Sequence, residues 1–96
     1  MVEKLKAAER DAALQGLNGW ILDEGGGAIS HVFKFKSFSE AFGFMTRVAL
    51  EAQKADHHPD WSNSYDTVTI TLSTHDADGL SQKDIDLAQA IDKLLG

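Results

Sequence analysis

Among all its stretches, Asp66–Thr74 constrains most what this chain can fold into. Val68, Ile70 and Leu72 alternate there with Thr67, Thr69, Thr71 and Ser73. That period of two, rich in β-branched residues, marks a strand with one buried face and one open face. Such a strand cannot stand alone. It needs neighbours for its backbone hydrogen bonds and an apolar layer over Val68, Ile70 and Leu72.

The neighbours are legible upstream. Trp20-Ile21-Leu22 reads as a short strand, Asp23–Gly27 as a turn, and Ala28–Lys36 as a second strand. Ile29, His31, Phe33 and Phe35 share one face of it, and Val32, Lys34 and Lys36 the other. Two strands around a Gly-rich turn predict a hairpin. Gly25-Gly26-Gly27 is a poor phosphate cradle, because it leads into a strand rather than a helix N-terminus and follows two carboxylates. A further short strand is expected around Trp61.

Three helical patterns can supply the cover. Val2–Leu17 is rich in good helix formers, with Leu5, Ala8, Ala12 and Leu14 along one side, and Asn18-Gly19 ends it. Ser37 and Glu40 match a capping box that opens a helix over Phe38–Lys54. Phe38, Ala41, Phe42, Met45, Val48, Ala49 and Ala52 form its expected core stripe, which leaves Phe44 as the expected contact with another subunit. Ser81, with Asp84 three residues on, opens a last helix whose stripe is Ile85, Ala88, Ile91, Leu94 and Leu95. The economical architecture is α+β, an antiparallel sheet covered on one face by helices, its other face left to solvent or a partner. With no repeat and no linker, residues 1–96 read as a single domain.

Size and charge narrow the function. A chain of 96 residues without cysteine has a small core and no covalent staples, which makes self-association an attractive source of further burial. Nine Lys and Arg against fifteen Asp and Glu, a net charge of −6, do not supply the basic surface that phosphate neutralisation requires, so no direct nucleic-acid contact is expected. No apolar run approaches the roughly 20 residues of a membrane span, and the charged N-terminus lacks a secretory pattern. A cytoplasmic location is the plain expectation.

Three of the four histidines define the chemistry. His57 and His58 lie in Asp56-His57-His58-Pro59-Asp60-Trp61, and His75 at the end of the long strand. Histidine alone has an unperturbed pKa that makes it both acid and base near neutrality. Adjacent residues in extended backbone point to opposite sides, and Pro59 biases His58 towards that geometry. The two therefore take different roles. Surface histidines in a turn are the bland alternative, and zinc binding is another. Adjacent histidines chelate less well than the i, i+4 spacing of helical zinc sites, and no serine sits in a nucleophile elbow. Metal-free proton transfer, which a dehydration needs at two atoms, fits these residue types.

The same residues resemble a known family. Asp56–Trp61, Tyr65, Ile70–His75, Gly79-Leu80-Ser81 and Asp84-Ile85, with Ala41–Leu50 as the long helix, are similar to the signature of the pterin-4a-carbinolamine dehydratases from about Trp20 onwards. The resemblance implies a four-stranded antiparallel sheet with three helices packed on one face, assembled as a homodimer or homotetramer. It implies loss of water from 4a-hydroxytetrahydrobiopterin, or a related pterin substrate, to give quinonoid dihydropterin without a cofactor. That step belongs to tetrahydrobiopterin recycling for aromatic amino acid hydroxylases, notably in phenylalanine hydroxylation.

By position, His57, His58 and His75 are the implied catalytic residues. His57 and His75 form the expected acid–base pair, and His58 the orienting contact. Asp56, Pro59, Trp61, Ser73, Thr74 and Lys83 are the implied substrate-binding residues. Asp56 is expected to orient a histidine, Trp61 to form a flat wall, and backbone groups of Ser73–His75 to bond the ring edge. Lys83 stands where animal relatives typically carry Arg, and it offers a point charge in place of a planar fork. Other relatives dimerise a transcription factor or act as assembly factors, so a non-catalytic protein-interaction module is the alternative.

Overall fold

The computed structural model describes residues 2–96. Its elements run α1 (Ala7–Leu14), β1 (Ile21–Leu22), β2 (Ile29–Lys34), α2 (Phe38–Ala55), β3 (Asp60–Ser64), β4 (Thr67–Leu72), a 3-10 turn (His75–Ala77) and α3 (Gln82–Lys93). The four strands form one sheet in the order β1-β2-β4-β3, with every pairing antiparallel. This is the α+β arrangement that the sequence and the resemblance point to.

The alternation in β4 sets the layers. Ile29 faces Leu72 across β2 and β4, Phe33 faces Val68, and His31 and Trp61 flank Ile70 from either side. Val68, Ile70 and Leu72 are fully buried beneath the helices, with Ile29, Phe33, Val48, Ile85 and Ile91 in the same core. On the opposite face Ser30 and Thr71 share a hydroxyl hydrogen bond of 2.8 Å, while Ile21 and Val32 are exposed. Trp20, next to β1, donates its indole N–H to Asp92 (3.0 Å), which ties the hairpin to the end of α3.

Several boundaries differ from the expectation, each for a local reason. The first helix begins only at Ala7, because the Leu5 N–H bonds the Leu80 carbonyl (2.8 Å) instead of continuing a helical ladder. Lys6 caps it, and its N–H is taken by the Glu9 carboxylate. α1 buries no residue, so it packs more shallowly than α2 and α3. β4 ends at Leu72, two residues early. Thr74 then pairs with Gly79 in an isolated bridge, and the chain loops through the 3-10 turn between them. His75 therefore does not extend the threonine face.

Phe44 reverses its expected place. It is fully buried and packs on Phe33 and Phe35 with ring centroids 4.9 Å away in each case. The buried row of α2 is Ala41, Phe44, Val48 and Ala52, at spacings of three and four. Phe38 and Phe42 occupy the adjacent row and are about half exposed, at 49% and 55%. Leu95, expected in the stripe of α3, is also exposed, and Leu87 takes its place inside. Ser37 and Ser81 cap their helices as the sequence suggests. Ser37 accepts the Glu40 N–H (3.1 Å), while the Glu40 carboxylate reaches one residue further back to the Lys36 N–H.

Candidate active site

The end of α2 aims the first histidine. Asp56 takes a left-handed conformation (φ 51°), which Asp tolerates better than most residues, and the His57 N–H returns to the Ala52 carbonyl (3.1 Å). That reversal turns His57 inward until its side chain is only 11% exposed. His58, the next residue, is exposed, as the opposed geometry of neighbours requires. The early end of β4 brings His75 to the same place from the other side, at the start of the 3-10 turn.

These segments enclose an open cavity of about 340 Å³ lined by Val2, Asp56, His57, His58, Ser73, Thr74, His75, Asp76 and Lys83. All three histidines meet there, together with Asp56, Ser73, Thr74 and Lys83. Pro59 and Trp61 do not. Trp61 lies on the helix side of the sheet, where it lines a separate cavity with Phe42, Met45, Thr46 and Ala49. It follows Ile70 onto that face because the two are direct partners across β3 and β4.

Behind the cavity wall lies a closed polar network. His57 Nε2 is 2.6 Å from Asp84 Oδ1, and Asp84 is fully buried. The other carboxylate oxygen, Oδ2, accepts the Thr74 hydroxyl (2.7 Å) and the Ser81 N–H (3.0 Å). Ser81 Oγ lies 2.7 Å from Thr74 Oγ1 and accepts the Lys83 N–H (3.2 Å). Thr74 has one hydroxyl hydrogen and gives it to the carboxylate, so Ser81 is the donor to Thr74. Among the described residues no buried side-chain polar atom lacks a partner.

A carboxylate only accepts, so the proton of this pair sits on His57 Nε2, and the lone pair of the ring's neutral form is on Nδ1. The imidazole is thereby fixed in tautomer and orientation by a buried anion, as a base requires. Among the described residues no carboxylate supports His58 or His75 in this way. Among the described residues no three His, Asp or Glu side chains converge in a way that would hold a metal ion.

Two expectations for this region change. Asp56 lines the cavity, but the carboxylate that bonds a histidine is that of Asp84. The backbone of Thr74 is also committed, since its N–H bonds Gly79 O (2.8 Å) and its carbonyl accepts the Gly79 N–H (3.3 Å). The His75 carbonyl accepts the Asp78 N–H (3.0 Å), so Ser73 and the N–H of His75 are left to offer backbone groups to a ring edge. Val2 and Asp76 are additional lining residues. Asp84 was visible as a capping residue, but nothing in the sequence signals its bond to a histidine 27 positions earlier.

Fold and cavity together define a class: small α+β proteins that carry a histidine cluster where the long helix ends and the last long strand gives way to a turn. This chain belongs to the pterin 4 alpha carbinolamine dehydratase family, whose sequence model matches residues 3–94. It is 56% identical to a relative from Rhodopseudomonas palustris (strain HaA2) over all of this chain and 95% of that one. A relative from Rhodospirillum rubrum is 55% identical over the full length of both. Both relatives are named pterin-4-alpha-carbinolamine dehydratases only provisionally, so they establish the family rather than a measured activity.

Among solved structures, a transcriptional coactivator/pterin dehydratase from Brucella melitensis superposes with a TM-score of 0.93 at 45% identity, covering 98% of this chain and all of the other. A pterin dehydratase-like protein identified as a RuBisCO assembly factor in the alpha-carboxysome superposes at 0.71 over 82% of this chain and 92% of its own. At 20% identity that second likeness is one of fold alone.

Proposed function

We propose that this chain, acting as one domain, is a 4a-hydroxytetrahydrobiopterin dehydratase. The observation that carries the reading is the 2.6 Å bond between His57 Nε2 and the buried Asp84 carboxylate at the wall of the three-histidine cavity. In the reaction the C4a–O bond breaks and the hydroxyl leaves as water after taking a proton. The neighbouring N5 loses its proton, and the product is quinonoid dihydropterin. One group must donate a proton and another accept one, and no electrons enter or leave. His57, with Nδ1 as the free ring nitrogen, is the base, His75 the acid, and His58 the orienting contact. Ser73, Lys83 and Asp56 contribute polar contacts at the ring edge. Nothing in this division of labour calls for a metal or a cofactor.

The pathway assignment follows from the substrate. Quinonoid dihydropterin is what a reductase returns to the tetrahydropterin that aromatic amino acid hydroxylases consume, in the cytoplasm on this reading. Self-association as a homodimer or homotetramer is part of the proposal, with the exposed Phe38 and Phe42 row of α2 as its contact. Among the described residues no helix is long and apolar enough to cross a membrane.

The test is a dehydratase assay on chelator-treated protein with freshly generated 4a-hydroxytetrahydrobiopterin. Acceleration over the spontaneous dehydration is the expected result, and a rate equal to the spontaneous one would sink the proposal. A second reading, a non-catalytic interaction module, draws on the coactivator name of the Brucella melitensis protein. A stoichiometric partner retained after His57, His58 and His75 are all replaced by Ala, in a protein without dehydratase activity, would favour it.

A further inference from the structure

The wall that Trp61 does not supply is supplied from an unexpected direction. Val2 is the one hydrocarbon side chain lining the histidine cavity among the described residues. Its position follows from Lys4 and Leu5, which are held against the loop that follows His75. The Leu5 N–H bonds Leu80 O at 2.8 Å, and the Leu5 side chain packs against the hydrophobic core. The Lys4 stem lies on Gly79, where an added Cβ would sit 2.8 Å from Lys4 Cε. Gly79 also has a φ of +155°, a backbone conformation that favours glycine there. Two contacts of Leu5 and one of Lys4 thus hold a strap that brings Val2 to the cavity.

We propose that Val2 is a substrate contact, packing on one face of the substrate's flat ring while the polar groups opposite bond its edge. A fused bicyclic ring has two apolar faces and a polar rim. The carboxylates, hydroxyls and ammonium of this cavity serve the rim, an imidazole can stack on one face, and Val2 is the hydrocarbon placed to cover the other. A hydrocarbon contact removes one face from water in ground state and transition state alike, so it sets affinity rather than the chemical step. Lys4 and Leu5 are positioning residues for it.

The inference rests on the dehydratase reading, and the experiment separates the two. Steady-state kinetics on wild type, Val2→Ala, Val2→Asp and Val2→Ile, with thermal unfolding of each as a folding check, gives four readable outcomes. The expected result is KM raised about three- to tenfold in Val2→Ala and further in Val2→Asp, with kcat within about twofold and KM restored in Val2→Ile. KM unchanged in both Val2→Ala and Val2→Asp overturns the strap contact and leaves the dehydratase intact. A fall in kcat at constant KM also overturns it, since that pattern marks disturbed chemistry rather than lost uniform binding. Wild-type protein with no acceleration overturns the dehydratase reading and this contact together. Val32→Ala, on the far face of the sheet, is the control that leaves KM unmoved.

Discussion

His57 Nε2 and Asp84 Oδ1 lie 2.6 Å apart, joining the end of one helix to the first turn of another through a carboxylate with no solvent exposure. The same carboxylate caps α3, so one side chain fixes both a structural terminus and the tautomer of a candidate base. Asp84→Asn keeps the shape but presents an amide that can donate to Nε2, which would move the ring proton to Nδ1. The dehydration kcat is expected to fall by about 10²–10⁴. Single-turnover kinetics with a folded variant checks this, and an unchanged kcat would remove His57 from the base role.

Thr74 and Ser81 hold that carboxylate from the side away from the histidine. Thr74→Val preserves volume while deleting the donor to Asp84 Oδ2 and the acceptor for Ser81 Oγ. Leaving buried polar atoms unpaired costs about 1–3 kcal/mol. Urea denaturation should show that loss as a lower midpoint at constant m. The His57 bond survives this change, so kcat should fall less than in Asp84→Asn. An equal fall would mean that the network acts as one unit.

The three histidines differ in setting, and their variants should differ with it. His57 is 11% exposed and backed by a buried anion, whereas His58 and His75 are exposed at the cavity mouth. His57→Ala and His75→Ala should each lower kcat by about 10²–10⁴, and the double variant by less than the product if they serve one proton relay. His58→Ala should act mainly on KM. Measured kcat and KM for the four proteins decide the assignment; a kcat loss confined to His58→Ala would invert it.

Much of this was legible in the sequence because it is periodic or local. The alternation of Val68, Ile70 and Leu72 set the central strand and its buried face. Ser37 and Ser81 marked two helix starts, and the short strand at Trp61 was anticipated. The histidine cluster came from spacing and resemblance together. What escaped was decided by packing between distant segments. The Leu5–Leu80 hydrogen bond shortens α1 and carries Val2 to the cavity, and no local pattern encodes it. Asp56 was expected to orient a histidine, but the reversal at the end of α2 turns the His57 ring towards Asp84 instead. Trp61 follows its cross-strand partner Ile70 to the helix side, and a motif read residue by residue carries no information about that face.

The two aromatic rows of α2 lead to a last prediction. Phe44 is fully buried between Phe33 and Phe35, while Phe42, two residues earlier, is 55% exposed with its ring centroid 5.9 Å from that of Phe38. A helix with apolar residues on two adjacent rows satisfies only one of them within this chain, and the other row stays in water unless another surface covers it. Phe44→Ala should therefore cost about 3–5 kcal/mol of folding stability, as loss of a core aromatic does. Phe42→Asp should leave the stability of the isolated chain nearly unchanged and act on assembly instead. Sedimentation velocity across a concentration series should show wild type as a homodimer or homotetramer and Phe42→Asp shifted towards monomer. Loss of a buried interface aromatic of this kind weakens association by about 2 kcal/mol or more. A wild-type protein that sediments as a monomer at every concentration would refute the self-association proposal. A Phe42→Asp protein with an unaltered oligomer would move the contact off this row of α2.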